Sequence, residues 1–333
     1  MDIHAVESEL NSTEKVIKRQ LGKNGPFVSP IGLGTMGMSF LYTSNETDEL
    51  EHLDVLNYAL DIGCTFWDTS DVYGPFTNEM LLAKVLSKRR QEVFICTKFG
   101  LTINDAVTES NPGYFNICGT PEYVKQCCDE SLKRLGIDCI DLYYCHRPDP
   151  NVPIEDTVGA MAELVEEGKV KYLGLSVCSP DQIRRAYKIH PIHAYQVEFN
   201  PWHRNILTDG TLDVCRELGI AIIPYGPLGR GFLTGQIKSL DDLATDDWRR
   251  NNPKFKKSEF EKNLRIVNKF EELAMQKNLP ASQLCLAWVL SHGDDFIPIP
   301  GTKRQKYLME NWNAHKVKLT QEEIHHIDRV IQE

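Results

Sequence analysis

Eight short apolar runs, rich in β-branched and aromatic residues, punctuate the chain, and the stretches between them carry apolar residues every three or four positions. The runs are VSPIGLG (28–34), CTFWD (64–68), EVFICTK (92–98), IDLYYCH (140–146), KYLGLSV (171–177), AYQVEFN (194–200), IAIIPYG (220–226) and FIPIPG (296–301). Brief, continuous apolarity is what a strand covered on both faces needs, whereas steps of three and four build one apolar helix face. The clearest helical stretches are LDVLNYALDIG (53–63), VKQCCDESLKRLG (124–136) and TVGAMAELVEEGK (157–169). Gly63 and Gly136 stand at helix stops, and Thr120-Pro121 supplies an N-cap followed by a first-turn proline. Eight such units without a composition break predict an α/β chain folded as a single (β/α)8 barrel over residues 18–333, after a flexible extension over residues 1–17. A dinucleotide fold would need G-x-G-x-x-G opening a helix, but GLGTMG (32–37) runs into TSNETDE, where no helix starts.

Two long insertions follow strands, one over residues 100–119 and one from about 228 to 263, which places both at the strands' carboxyl ends. Loops of that length in a compact domain are commonly lids over a site. The chain has 333 residues, 41% hydrophobic and 25% charged, enough for a sizeable core. A net charge of −10 argues against nucleic acid or an anionic membrane as partner. No apolar run reaches transmembrane length, and the polar, acid-bearing N-terminus resembles no secretory or transit signal, so a cytoplasmic protein is expected. Ten scattered cysteines without a C-x-x-C pair read as reduced core residues, and no metal site is expected.

FWDTSDVYG (66–74) is the most informative single stretch. Asp68 closes the second strand and Tyr73 lies on the loop beyond it. Lys98 closes the third strand and His146 the fourth. Neighbouring strands lie about 5 Å apart, so the four polar groups converge at one end of a barrel. A lysine ending VFICTK is costly to bury without a carboxylate, and Asp68 on the adjacent strand supplies one.

With these motifs together, the chain from about Arg19 onward resembles the aldo-keto reductase superfamily, most of all its fungal and plant branch of NADPH-dependent reductases. The resemblance is carried by PIGLGTMGM (30–38), the Asp/Tyr stretch, TKFG (97–100), SLKRLGIDCIDLYYCHRPD (131–149), EGKVKYLGLSV (167–177), YGPLGRGFLTG (225–235) and IPGTKRQKYLMEN (299–311). It implies a TIM barrel that reduces aldehydes and ketones, with Tyr73 as general acid, Lys98 and Asp68 tuning it, and His146 orienting the carbonyl. A nearby ammonium is expected to lower the phenol's pKa from its ordinary value near 10.

The resemblance also places NADPH on this chain. Ser176 and Gln196 would hold the nicotinamide amide, where the family often adds an Asn and this chain has Val177. Tyr225 would stack on the ring, and Gly226, Leu228 and Arg230 would line the pyrophosphate. Gly301, Thr302, Lys303, Arg304 and Lys306 open a helix suited to the 2′-phosphate, with Glu310 and Asn311 near adenine. Met36, Trp67, Trp202 and Phe232 are apolar candidates for the pocket of a small-molecule carbonyl substrate and favour aromatic or hydrophobic ones, and the short C-terminal tail suggests a more open site of looser specificity. The alternative is a cofactor-binding regulatory subunit on the same fold. A redox sensor built on Cys145 is a weaker rival, since strand alternation turns Cys145 toward the helix layer.

Overall fold

The computed structural model describes residues 16–39, 49–103, 115–245 and 247–332. Most of the predicted extension and the middle of the first insertion, residues 104–114, lie outside them. The chain opens with an antiparallel hairpin of β1 (Arg19–Gln20) and β2 (Phe27–Val28). The run predicted as one strand over 28–34 therefore splits at Ser29-Pro30: Val28 pairs with Arg19, and only β3 (Leu33–Gly34) enters the barrel. Leu21 and Val28 from the hairpin join the cluster of side chains inside the barrel.

From there strands and helices alternate: α1 (Glu49–Asp61), β4 (Phe66–Asp68), α2 (Thr77–Arg89) and β5 (Phe94–Phe99). The first insertion folds back as a second hairpin, β6 (Leu101–Ile103) with β7 (Phe115–Ile117). Then come α3 (Pro121–Leu135), β8 (Ile140–Cys145), α4 (Ile154–Glu166), β9 (Val170–Ser176), α5 (Pro180–Ile189), β10 (Ala194–Glu198), α6 (Thr211–Leu218) and β11 (Ala221–Tyr225). Helix α3 starts and stops as its residues require: Thr120 Oγ1 accepts from the Tyr123 N–H at 3.4 Å, Pro121 opens the first turn, and Gly136 caps the end.

Seven strands form one parallel sheet in the order β11-β10-β9-β8-β5-β4-β3. Residues 296–301 close it without ranking as a strand. The Ile297 and Ile299 N–H groups donate to Ile222 and Pro224 on β11, while the Pro298 and Pro300 carbonyls accept from Gly32 and Gly34. The two prolines have no N–H to return toward β3, so that side carries half a ladder. The result is the expected (β/α)8 barrel with a proline-bearing seam.

Period-two alternation sorts the side chains. Phe66, Cys96, Leu142, Tyr144, Ile223 and Ile299 fill the barrel, whereas Trp67, Ile95, Tyr143 and Cys145 pack into the layer beneath the helices. Tyr144 lies opposite Gly174, where a Cβ would sit 2.4 Å from the tyrosine ring, so only glycine admits it.

The second insertion is a run of short 3-10 turns, and its tail is helical earlier than the sequence suggested, because α7 (Lys257–Gln276) begins at 257 rather than after 263. Helices α8 (Ala281–Leu290), α9 (Gln305–Asn313) and α10 (Gln321–Gln332) complete the fold. Among the described residues no helix is long and apolar enough to cross a membrane.

Candidate active site

Asp68 and Lys98 point inward from neighbouring strands at their carboxyl ends, where Lys98 is fully buried and Asp68 nearly so. Lys98 Nζ donates to Asp68 Oδ1 at 2.5 Å, to the Thr69 carbonyl at 2.7 Å and to the Tyr73 hydroxyl at 3.4 Å. The ammonium also lies 4.9 Å from the centre of the Tyr73 ring. Gln196 reaches across from β10, its Nε2 donating to Asp68 Oδ2 at 2.7 Å, so both carboxylate oxygens are held. That bond leaves the Gln196 carbonyl oxygen for any further partner. Ser176 and Gln196 are register partners on adjacent strands and both are buried.

Burial works against the Lys98 charge, but Asp68 and Tyr73 more than compensate and hold the ammonium's pKa above its usual value. Burial pushes the Asp68 carboxyl up, against the pull of Lys98 and Gln196. Burial also raises the Tyr73 phenol. Lys98 opposes that rise, in the direction the sequence implied, but does not reverse it, so the expected net lowering is not found. The hydroxyl therefore keeps its proton at neutral pH.

His146 follows β8, its N–H bonded to the Phe99 carbonyl at 2.8 Å, and its ring stands edge-on to Tyr73 with centroids 6.1 Å apart. Burial, with Lys98 and Arg147 nearby, drives the imidazole's pKa well below its usual value, so the ring is neutral. Its Nδ1 faces the Ser70 hydroxyl at 3.2 Å. Behind the loop from 69 to 79 sits a polar network that the sequence reading missed. Asn78 Oδ1 accepts from Thr35 and Thr69 at 2.7 and 2.6 Å, and buried Glu79 accepts from Thr97 and Arg134, each at 2.6 Å. The string of Thr, Ser, Asp, Asn and Glu between apolar strands was its only sequence signal.

Tyr225 ends β11 beside Glu198, its register partner. The turn beyond it takes left-handed backbone at Gly226, Gly229, Arg230 and Gly231, with φ of 57, 55, 58 and 91°. An added Cβ at Gly226 would touch nothing, so the glycine there serves the backbone conformation alone. Arg230 bonds Glu198 at 3.4 Å and stacks over Trp248 at 4.8 Å, and Arg249 reaches back to the Arg230 carbonyl at 3.0 Å. The second insertion is thus tied to the end of β10 through Arg230.

At the seam, Gly301 bridges Gly34, and Thr302 Oγ1 accepts from the Arg304 N–H at 3.2 Å. Arg304 and Lys306 are exposed and Lys303 is half-buried at the start of α9. Arg304 pairs with Glu51 at 3.3 Å. Glu310 accepts from Ser282, and Asn311 is buried.

Two of the four apolar pocket candidates lie elsewhere. Trp67 alternates with Asp68, so it faces the helix layer, fully buried, with Nε1 bonded to the Cys64 carbonyl at 2.9 Å. Phe232 is fully buried and braces Trp202, Phe255 and Phe260 instead of facing the mouth. Met36 does pack beside Tyr73, together with Val72, Leu101, Phe115 and Ile117. Leu101, Phe115 and Ile117 belong to the β6–β7 hairpin, whose apolar residues in a polar insertion could have been noticed. Trp202 is half-exposed under Lys254. Burial pushes the Cys145 thiol well up, and it packs under the helices, as alternation required. A groove of about 1840 Å³ opens at the opposite end of the barrel, along Arg19, Gln20, Met309 and Trp312, far from these groups. It holds none of them, so residue chemistry and not volume selects the site.

A buried Asp–Lys–Tyr cluster with a neutral histidine thus stands at the carboxyl ends of barrel strands, on the residues that carry the family motifs. The chain belongs to the aldo/keto reductase family, whose model matches residues 30–332. It is 47% identical over 299 residues to aldo-keto reductase yakc [NADP(+)] of Schizosaccharomyces pombe, covering 88% of this chain and 85% of that one. It is 45% identical to aldo-keto reductase str7 of Strobilurus tenacellus, covering 95% and 92%. Among solved structures, the glycerol dehydrogenase AKR11B4 from Gluconobacter oxydans superposes with a TM-score of 0.83 at 28% identity, over 94% of each chain.

Proposed function

We propose that this protein reduces aldehydes, and ketones of similar shape, to alcohols with NADPH, using Tyr73 as general acid. The observation that carries the reading is Lys98, fully buried and bonded at once to Asp68 and the Tyr73 hydroxyl. An ammonium held there is aimed at the oxygen that becomes negative when the phenol gives up its proton, and in a low-dielectric site that is worth far more than in water. When bound, the reduced nicotinamide supplies the hydride.

The remaining tasks fall to this chain. Tyr73 delivers its proton to the carbonyl oxygen, and Lys98 stabilises the phenolate that remains. Asp68 and the Thr69 carbonyl fix the ammonium, and Gln196 keeps Asp68 from turning. His146, neutral and anchored through Nδ1, has Nε2 left to donate to the carbonyl oxygen. Met36, Leu101 and Phe115 beside Tyr73 favour apolar or aromatic carbonyls.

The donor set fits the cofactor. Ser176 and the free Gln196 carbonyl suit a carboxamide, Tyr225 offers a ring face, and the left-handed turn from Gly226 to Gly231 presents backbone to phosphate. Lys303, Arg304 and Lys306 suit a 2′-phosphate, and Glu310 and Asn311 lie further along the same helix. The S. pombe relative carries NADP(+) in its name. Ten free cysteines, most of them buried, support a reducing compartment such as the cytoplasm.

The test is NADPH consumption with a panel of aromatic and aliphatic aldehydes and ketones. Steady turnover is expected, with Tyr73→Phe losing about 10²–10⁴ in kcat while NADPH still binds. Tight NADPH binding without turnover on any carbonyl would favour the regulatory-subunit reading instead. Loss of NADPH binding in Tyr73→Phe would show that the residue is misassigned.

A further inference from the structure

Ser70 and Asp71, the two residues between Thr69 and Val72, have no part in the mechanism above, yet both are buried beside it. The Ser70 hydroxyl lies 3.0 Å from Asp71 Oδ1 and 3.2 Å from His146 Nδ1, with the Lys98 carbonyl at 3.4 Å. Asp71 Oδ1 also accepts the Val72 N–H at 2.6 Å. A hydroxyl has one hydrogen to give, so Ser70 cannot donate to the carboxylate and to the imidazole at the same time. We infer that Asp71 is a positioning residue: acting through Ser70, it decides which nitrogen of His146 carries the hydrogen.

The single Ser70 hydrogen sets the outcome. With Asp71 ionised, the charge-assisted bond holds the Ser70 hydrogen on Oδ1. The imidazole must then bring its own hydrogen to Ser70, on Nδ1, and Nε2 is left as a bare lone pair that cannot donate to a carbonyl. With Asp71 protonated, the hydroxyl turns to Nδ1, a better acceptor than a neutral carboxyl oxygen. The imidazole's hydrogen then sits on Nε2, where reduction needs it. Passing from the second state to the first releases one proton, lost by Asp71. Ser70 keeps one hydrogen throughout, and the neutral ring keeps one, on its other nitrogen.

The surroundings place this switch in the working pH range. Burial pushes the Asp71 carboxyl up to about 7, with Glu79 on α2 adding to the rise. Arg134 on α3 opposes it, as do the bonds from Ser70 and Val72. Tyr73 on the same loop, Tyr123 and Cys127 on α3 and Tyr143 on β8 also face Asp71, and all three phenols and the thiol are raised by burial and stay neutral. Around His146, burial first and then Lys98 and Arg147 keep the ring from charging. Asp71 is therefore placed to titrate near neutrality beside phenols and a thiol that stay neutral there.

The inference rests on the reading that His146 orients the substrate carbonyl, and two independent readouts separate them. The first is 15N resonance of histidine-labelled protein with bound NADP⁺, the His146 signals assigned by their loss in His146→Gln. The ring should pass from the Nε2–H to the Nδ1–H form as pH rises from about 5.5 to about 8.5, and should hold one form in Ser70→Ala and in Asp71→Asn. The second is the pH profile of aldehyde reduction, where kcat should fall about tenfold per pH unit above the inflection, and that inflection should vanish in both variants. A merely structural role would lower kcat equally at every pH. A wild-type tautomer that does not change with pH overturns the inference, as does an inflection surviving in both variants. If the protein reduces no carbonyl, the functional reading fails, and the resonance experiment still decides this one.

Discussion

Replacing Lys98 by methionine should convert a buried ion pair into a buried, uncompensated carboxylate. Lys98 is fully buried and the Asp68 side chain is 4% exposed, so water cannot take over the solvation that the ammonium supplied. Breaking such a pair from one side costs about 3–5 kcal/mol. The Gln196 amide still donates to Asp68 Oδ2, which favours the lower end. Asp68 can escape the cost by taking up a proton. At about 1.36 kcal/mol per pKa unit, that cost should lift its folded-state pKa by about 2–3.5 beyond wild type, where burial already holds it up. The sign follows from linkage: between the unfolded pKa and the raised folded pKa the folded variant holds a proton that the unfolded chain has released, so its stability falls as pH rises across that interval. Urea unfolding of wild type and Lys98→Met at about pH 4 and about pH 8 should therefore show a deficit that is small in acid and reaches about 3 kcal/mol or more in base. Asp68→Asn/Lys98→Met should recover most of it at high pH. A deficit independent of pH, or a double variant no more stable than the single one, would refute the assignment of cost to the stranded carboxylate.

Three further outcomes can be checked alongside. Neutralising Lys303, Arg304 and Lys306 together should erode a preference for NADPH over NADH, by about 1.5–3 kcal/mol for each charge-assisted bond to phosphate that disappears, and added salt should erode it too; equal Kd values for both cofactors in wild type would exclude the site. Cleavage within residues 230–257 under limited proteolysis should slow on adding NADP⁺, since those 3-10 turns are tied through Arg230 to the carboxyl end of β10, and identical digestion with and without it would end the idea that they close over the pyrophosphate. Val177 holds left-handed backbone at φ 57° although it is β-branched, so Val177→Gly should raise the unfolding free energy by about 1 kcal/mol, less whatever glycine's added freedom in the unfolded chain takes back; clear destabilisation would mean the valine's packing outweighs its strain.

The barrel and the convergence of Asp68, Tyr73, Lys98 and His146 were legible because both follow from local periodicity. Eight apolar runs with a polar residue at the end of three of them put those residues on one rim. The same rule, applied strictly, would have removed Trp67 from the pocket, since a residue adjacent to an inward aspartate must face outward. Less legible was anything set by partners distant in sequence. The split of residues 28–34 depends on Val28 finding Arg19, and the apolar packing beside Tyr73 on a hairpin built from both ends of an insertion. The direction of the Tyr73 pKa was misread for a related reason. One ammonium could be inferred from the motif, but desolvation is a sum over every group packed around the phenol, and no motif states that sum.

The proline-bearing seam has a consequence for the order in which the molecule is made. Its two sides are β3 and residues 296–301, drawn from opposite ends of the chain, so closure is the pairing that loop entropy makes most expensive. Half a ladder gives it little local reward, and it should form after the central strands have paired. Pulsed hydrogen exchange during refolding should find the Gly32 and Gly34 amides among the last to be protected, and early protection would contradict this order. The helix that opens with Lys303 and Arg304 springs directly from that seam. A nascent or damaged chain with an unclosed ring would then lack the proposed phosphate-binding end of its cofactor site, and on that proposal gripping NADPH would itself certify that the barrel is whole.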